Sequence, residues 1–408
     1  MFFQLAWRNI WRNPKRTLIL LTAIVIGVWS MIFLGALMRG ISDQMVRNGI
    51  ANLTGHVQIH LRGYRNDPVV ENSILQPGKL EEVLAGALPK EAHWTERVRV
   101  YAVASNARHS IGVTLVGIDS AREAQVSFIG SAVTQGDYLQ PGKGNGILIG
   151  QSLAEKFKTE LGKKLVLMAL DSKGDNASRA FRISGIFRAE LEAIEKQFVF
   201  VNLDTARQML KLKGGISEIS ILLPEKSATE AVVQSLRKQL PVGDSLEVAS
   251  WLDLLPFVTA VMELYDGFIF IWFLIIFIAM GFGIVNTILM AVFERVREFG
   301  LLKALGMKPV WIVRQVLTES FLLLLVGQVL GCIFGLVSVA LLARNGIDLS
   351  AFAEGLEYAG MSRMIFPVVL VKDVVMANLV VFILGVLVSL YPAVKAARFT
   401  PVEALART

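Results

Sequence analysis

One cysteine, Cys332, is present in 408 residues. No disulfide can form within the chain, so every folded part must be stable from burial alone, and cysteine usage says nothing about compartment. Histidine is scarce as well, with four in all, too scattered for a metal site. His56 and His60 would share a strand face with Gln58 between them, the pattern of a polar outer face. The chain has no G-x-x-x-x-G-K-[ST] phosphate loop, no H-E-x-x-H pair and no G-x-S-x-G elbow. Gly142-Lys143-Gly144-Asn145-Gly146 is glycine-rich but lacks the required spacing and hydroxyl, and reads as a turn before a strand. Glu190, Glu192 and Glu195 read as a solvated loop. No catalytic residue, metal ligand or cofactor bound by this chain is expected. If ATP drives the protein, another subunit hydrolyses it. Charged residues are only 18% of the chain, and the net charge of +7 lies at the ends of hydrophobic runs rather than on one soluble patch. That distribution argues against nucleic acid as a partner.

What the chain has in excess is apolar sequence: 54% hydrophobic residues and a mean hydropathy of +0.55. The excess is concentrated in four runs, Thr17 to Met38, Gly267 to Phe293, Phe321 to Ala343 and Val374 to Val394. Each reaches about 20 residues or more, enough to cross a bilayer as a helix. The expected fold is an α-helical membrane protein with four spans and a large mixed α+β domain. Its divisions are an interfacial amphipathic helix (1–16), a first span (17–41), the α+β domain (42–262), a second span with a stalk (263–293), a charged helix and linker (294–312), a third span (313–343), a short loop (344–372), a fourth span (373–394) and a tail (395–408).

Before the first span, Phe3, Ala6, Trp7 and Ile10 follow helical spacing on one face and Gln4, Arg8, Arg12 and Lys15 on another. This pattern suits a helix lying at the headgroups of membrane lipids. The apolar run after it exceeds a typical signal-peptide core and shows no clear small-residue cleavage site, so an uncleaved anchor is expected. Lys and Arg set orientation. Arg8, Arg12, Lys15 and Arg16 precede the first span, Arg295, Arg297, Lys303, Lys308 and Arg314 follow the second, and Lys395, Arg398 and Arg407 follow the fourth. The loop between the third and fourth spans has Arg344, Arg363 and Lys372 balanced by Asp348, Glu354, Glu357 and Asp373. Both termini and the 294–316 segment are therefore expected in the cytoplasm, and the large domain outside.

Within the domain, period-two alternation places Val57, Ile59 and Leu61 on one strand face. Lys79 to Leu88, Ser152 to Phe157, a segment capped by Asp204 and running through Leu210, and Ala228 to Leu240 before Pro241 read as helices. Gly146 to Gly150, Phe181 to Phe187 and Phe198 to Val201 read as strands. Val258 to Tyr265 reads as helix continuous with the second span. Gly306 suits a helix C′ position and Pro309 the first turn of the next helix. Glu319 is placed near the membrane interface by its insertion cost.

The abrupt change at Glu294-Arg295-Val296-Arg297-Glu298 is the most distinctive feature. Val296, Phe299, Leu302 and Leu305 recur at near-helical spacing. From periodicity alone this is either a helical linker skimming the membrane or a docking helix for a cytosolic partner.

The block Gly283-Ile284-Val285-Asn286-Thr287 through Glu294 to Gly306 resembles the signature of the FtsX-like ABC transporter permeases, which include MacB, LolC and LolE. The N-terminal Leu5-Ala6-Trp7-Arg8-Asn9-Ile10 with Arg16-Thr17 and the C-terminal Tyr391 to Arg398 with Pro401-Val402-Glu403-Ala404-Leu405 resemble the same family. Gly146 to Gly150 with Leu153-Ala154 resembles the MacB-type periplasmic core. Ser184 to Phe187 and Phe198 to Val201 with Ala206 are similar to lipoprotein-release members. The resemblance implies residence in a bacterial inner membrane and a coupling helix contributed by Glu294, Arg295, Arg297, Glu298, Phe299, Leu301, Leu302, Ala304, Leu305 and Gly306. That helix would seat on a cytosolic ABC ATPase dimer, which holds the ATP and Mg. It further implies a second permease subunit, identical or related, and a periplasmic acceptor. Work is then done by mechanotransmission, with lipoprotein release favoured because, unlike MacB, this chain carries no ATPase. A cavity between two permeases, lined by the outer halves of the first and second spans near Met31, Phe33, Leu34, Phe268, Phe270 and Ile271, would hold acyl chains. The alternatives are a non-transporting regulator of a cell-wall partner and a peptide or toxin efflux permease.

Overall fold

The computed structural model describes residues 2–141, 144–240, 246–352 and 364–400. Gly142, Lys143, Pro241, Glu354, Glu357, Arg363, Arg407 and the 401–405 motif, all used above, lie outside the described residues. In chain order the elements are α1 (Phe2–Ile10), α2 (Pro14–Gly49), β1 (Val57–Leu61), α3 (Gly78–Ala87), β2 (His93–Ser105), β3 (Ser110–Ile118), α4 (Ser120–Glu123), α5 (Ile129–Ala132), β4 (Val133–Gly136), β5 (Gly146–Gly150), α6 (Gln151–Phe157), β6 (Lys164–Leu170), β7 (Asn176–Phe187), α7 (Glu192–Gln197), β8 (Phe198–Asn202), α8 (Leu203–Met209), β9 (Glu218–Leu222), α9 (Thr229–Gln239), β10 (Leu246–Ser250), α10 (Trp251–Leu254), α11 (Pro256–Glu294), α12 (Val296–Ala304), α13 (Pro309–Asn345), β11 (Ile347–Asp348), β12 (Met364–Ile365) and α14 (Val371–Arg398). They form two compact units, one helical and one, from Gln44 to Ala260, of mixed α/β structure.

Helices α2, α11, α13 and α14 are each long and apolar enough to cross a membrane. In the helical unit, α2 and α13 meet along a stripe of small residues. Gly327, Gly331 and Gly335, four apart on α13, face Ile24, Val28 and Ile32, four apart on α2. A Cβ at Gly331 would lie 2.8 Å from Cβ of Val28 and 2.9 Å from the Val25 carbonyl oxygen. Small residues at this spacing let two helix backbones approach closely where no hydrophobic drive separates lipid from side chain. The core between the helices adds Leu20, Met31, Met280, Ile284, Ile288, Leu324 and Val381. At one end of the bundle Arg39 on α2 hydrogen-bonds Asp373 at the start of α14, 2.7 Å, and pairs with Asp266 on α11.

In the α/β unit, β2 is long enough to serve two neighbours on one edge. Its first half, His93–Arg97, pairs with β9, and its last residues, Val103–Ser105, pair with β6. Its other edge pairs with β3. The path β2-β3-β8-β5-β7-β6 then returns to β2, so these strands close into a barrel. Alternation fills the interior: Val98, Val100, Ala102 and Ala104 of β2 and Leu165, Leu167 and Ala169 of β6 are buried with Phe181, Ile183, Val199 and Val201. Their neighbours Tyr101, Val103, Val166 and Met168 point out. Closure removes the exposed edges an open sheet would leave. Strands β9, β1 and β10 extend from β2 as an arm, covered on one face by α3 and α9 through Leu80, Leu84, Val232, Val233 and Leu236.

Several sequence expectations are corrected here. His56, Gln58 and His60 are not on a polar outer face. Strand β1 lies between β10 and β9 with both faces covered, and all three side chains are buried. Period-two alternation separates the faces of a strand without saying what covers the second. Glu195 is not in a solvated loop. It sits in α7, buried, accepting hydrogen bonds from Ser152 N (3.1 Å), Ser152 Oγ (2.7 Å) and Ala189 N (2.9 Å). Helix α8 starts at Leu203 after Asn202, so Asp204 is a first-turn residue rather than the N-cap.

One charged cluster was not anticipated. Arg97 is fully buried, hydrogen-bonded to Glu123 (2.8 and 2.9 Å), to Glu218 (3.2 Å) and to the Leu53 carbonyl. Burial works against its charge, and the two carboxylates more than restore it. Leu53 has φ +74°, unusual for a branched side chain, and Arg97 holds its carbonyl in place.

Candidate functional site

The block singled out by its charge forms an elbow. Helix α11 runs unbroken to Glu294, and Arg295 leaves helical geometry with φ −108° and ψ 11°. Helix α12 then runs to Ala304, Leu305 caps it, and Gly306 turns the chain with φ +93°. The amides of Gly306 and Met307 close on the carbonyls of Lys303 (2.9 Å) and Leu302 (3.0 Å), and Pro309 opens α13 at its first position. This corrects the expectation of one helix from Glu294 to Gly306. Glu294 belongs to the spanning helix and Arg295 is the hinge.

Four helices fix the elbow. Arg295 donates to both oxygens of Glu319 on α13, 2.9 and 3.0 Å, and to Glu298, 3.2 Å. Asn9 of α1 also donates to Glu319, 2.9 Å. Arg12, after α1, reaches Glu298 at 2.6 Å, and Arg16 on α2 reaches Glu294 at 2.6 Å. Lys303 donates to the carbonyls of Ala397 and Phe399 at the end of α14, where the helix dipole favours a cation. Burial pushes the Glu298 carboxyl up, and hydrogen bonds from Arg12 and Arg295 outweigh it, leaving it below the usual range. The Arg295 and Glu319 side chains are only 11% and 14% exposed, so this is a mostly buried pair, where losing one partner costs about 3–5 kcal/mol. Arg12 and Glu298 are exposed, where a pair contributes about 0–1 kcal/mol. A cavity of about 30 Å³ bounded by Asn9, Thr17, Arg295, Glu319 and Ser320 has room for a bridging water.

The expected coupling residues divide by direction. Arg295 and Phe299 turn inward with Val296 and Gly300, Arg295 stacking on the Phe299 ring at 5.1 Å. Leu302 is half-buried against the bundle. Arg297, Leu301, Ala304, Leu305 and Gly306 face out, Leu301 at 54% and Leu305 at 78% exposure. A helix that presents two leucines beside an arginine, on a base fixed by ion pairs, is suited to seat in a groove of another protein. Helix α1 is also split: Ala6 and Ile10 pack inward, against the side where α13 lies, while Phe3 and Trp7, and Trp11 just after the helix, are exposed.

Within the single chain, the six residues expected around an acyl cavity between two permeases lie on α2 and α11, some buried and some exposed. Met31 is fully buried in the bundle core, on the same face as Ile24 and Val28, because it lies one helical turn from Val28 on α2. Phe33 stacks on Trp29 at 5.5 Å, and Trp29 donates to Ser338 on α13 at 3.1 Å. Leu34 is half-buried, and Phe268, Phe270 and Ile271 are exposed on α11. Sequence reasoning missed Asn9, the Arg295–Glu319 pair and the glycine stripe. The last was legible as G-x-x-x-G-x-x-x-G from Gly327 to Gly335.

Comparison with known proteins places these features. The MacB-like periplasmic core domain matches residues 17–239 and the FtsX-like permease C-terminal region matches residues 269–401. The lipoprotein-releasing system transmembrane protein LolC of Xylella fastidiosa is 24% identical over 403 residues, covering 94% of this chain and 91% of that one. LolE of Haemophilus influenzae is 22% identical over 309 residues, covering 72% of each. The macrolide export ATP-binding/permease protein MacB of Nitrobacter winogradskyi is 25% identical over 426 residues, covering 97% of this chain and 58% of its own length. Four helices able to span a membrane and a mixed α/β domain of the periplasmic type fit a multi-pass inner-membrane protein. The chain belongs to the FtsX-like ABC transporter permeases, of the LolC/LolE/MacB type with a MacB-like periplasmic core domain.

Proposed function

We propose that this chain is the non-catalytic membrane subunit of a lipoprotein-releasing ABC complex. A cytosolic ATPase dimer docks on the outward face of α12, a second permease subunit completes the unit, and the α/β domain works on the opposite side of the membrane. The observation that carries the reading is the elbow: an exposed Arg297–Leu301–Leu305 face on a helix joined to α11 through Arg295, which pairs with Glu319 on α13, and held to α14 by Lys303. Displacement of α12 by a closing ATPase would be passed through Arg295–Glu319 to α13, through Arg16–Glu294 to α2 and through Lys303 to α14. Lipoprotein cargo is supported by likeness to LolC along nearly the whole of both chains.

Leu305→Asp and Arg297→Glu should reduce capture of the ATPase by about tenfold or more, since each removes an interface anchor worth at least about 1.4 kcal/mol, with an unchanged melting temperature. Leu302→Asp is a poorer probe because its side chain also packs in the bundle. Wild-type capture by both exposed-face variants contradicts the docking assignment. With docking intact, a lipidated protein retained by a hydrolysis-deficient complex supports lipoprotein release. Retention of a wall hydrolase, or sensitivity to a toxin on deletion, would favour the regulator or the efflux permease instead.

A further inference from the structure

Helix α1 and the turn after it present three faces. Ala6 and Ile10 pack inward, and Asn9 holds the helix to Glu319 on α13. Phe3, Trp7 and Trp11, four apart, form an exposed aromatic row, with Trp7 and Trp11 in edge contact at 6.0 Å. The turn stays tight, since the Arg12 amide donates to the Asn9 carbonyl at 3.3 Å. Exposed apolar surface continues at Leu18 and Ile19, near the start of the spanning helix α2. Aromatic side chains that run into the outer side of a span lie where headgroups meet acyl chains.

The third face is basic. Arg8, Arg12 and Lys15 are all exposed, and no acidic residue precedes Asp43 in the chain. Among the described residues Arg8 and Lys15 have no ion-pair partner, and Arg12 alone of the three is engaged, donating to Glu298 on α12 at 2.6 Å. That pair is open to solvent, its side chains 57% and 43% exposed. An exposed ion pair is worth at most about a fivefold preference. A basic side chain at an anionic membrane surface gains roughly fivefold too. The two attractions are matched, so the charge of the lipid beside α1 decides which anion Arg12 holds. Arg8 and Lys15 give up no partner, so they bring lipid phosphates to Arg12 without opposing cost.

We propose that α1 and its following turn form an anionic-lipid sensor: headgroups gathered by Arg8 and Lys15 draw Arg12 off Glu298 and release α12 from its direct tie to the N-terminal segment. The occupant is a lipid surface, because the charges flank an aromatic row that a soluble anion would leave uncovered. Glu298 keeps Arg295 at 3.2 Å, and Arg295 keeps Glu319. Anionic lipid therefore changes the freedom of α12 without dismantling the elbow. That this freedom governs coupling rests on the ATPase-docking reading; the lipid binding and the release of α12 do not.

The test uses the full chain without ATPase, in phosphatidylcholine discs with increasing phosphatidylglycerol. Contact is read as quenching by lipid brominated near the headgroup, taken as the difference between wild type and the Trp7→Phe/Trp11→Phe variant. Release is read as hydrogen exchange of the α12 amides. Brominated phosphatidylglycerol should quench at a mole fraction about fivefold lower than brominated phosphatidylcholine. The α12 amides should exchange up to about fivefold faster in phosphatidylglycerol. Arg8→Gln/Lys15→Gln, at two exposed and unpaired positions, should abolish both differences. Glu298→Gln should show the faster exchange in phosphatidylcholine alone, with no further gain from phosphatidylglycerol. Equal quenching by the two lipids, or preferential quenching with unchanged α12 exchange, overturns the proposal. So does a lack of lipid preference combined with weaker ATPase capture by Arg8→Gln/Lys15→Gln, which would assign this face to the partner protein.

Discussion

Single side chains decide whether the elbow is a joint or a loose end. Glu319 accepts from both Arg295 and Asn9, so it ties α13 to the hinge and to the N-terminal helix together. Glu319→Gln leaves the mostly buried Arg295 guanidinium with only the part-exposed Glu298 as a charge partner, and the melting temperature should fall in keeping with a loss of up to about 3 kcal/mol. ATPase capture, which uses the other face of α12, should fall much less than ATP-dependent release. Equal loss of both would mean that Glu319 acts only through folding. His56 makes a separate prediction for the α/β unit. Its Nδ1 accepts the Leu223 amide at 3.0 Å, and burial, with Lys226, lowers its pKa. A lowered histidine pKa means the unfolded chain takes up the proton first, so stability is full above the ordinary value of about 6.5 and declines as pH falls below it. Thermal unfolding between pH 7.5 and 5.5 should show this decline, and His56→Gln should flatten it.

At the scale of elements, the four long helices, the turn at Gly306 and the start at Pro309 follow directly from hydropathy and from the chemistry of glycine and proline. The strands at Gly146 and Phe198 were legible for the same reason, as short apolar runs. What periodicity could not give was the partner of each face. The burial of His60 depends on β9 and β10, each more than 150 residues away along the chain, and Glu195 is buried by Ser152 and Ala189 rather than by its neighbours in α7. The candidate site was readable as a segment but not as a surface. Periodicity grouped Phe299 with Leu302 and Leu305, whereas the structure buries the first and exposes the last. The glycine stripe gives the test at this scale. Gly331→Leu places a side chain where even a Cβ would meet Val28 and Val25, and overpacking of this kind costs about 1–3 kcal/mol. The melting temperature in detergent should drop. Gly283→Leu, where a Cβ would meet nothing within 4 Å, should leave it unchanged.

For the whole molecule, the account requires α12 and the α/β domain to lie on opposite sides of a membrane, joined only by chain that crosses it. The scarcity of cysteine makes this directly measurable. With Cys332→Ala as background, one cysteine is introduced at Leu305 on α12 and, in a second variant, one at the exposed Lys173 between β6 and β7. Intact spheroplasts are treated with a membrane-impermeant maleimide, and inverted vesicles in parallel. The account predicts labelling of Lys173→Cys in spheroplasts alone and of Leu305→Cys in inverted vesicles alone. Labelling of both positions from the same side, or the reverse pattern, would contradict it.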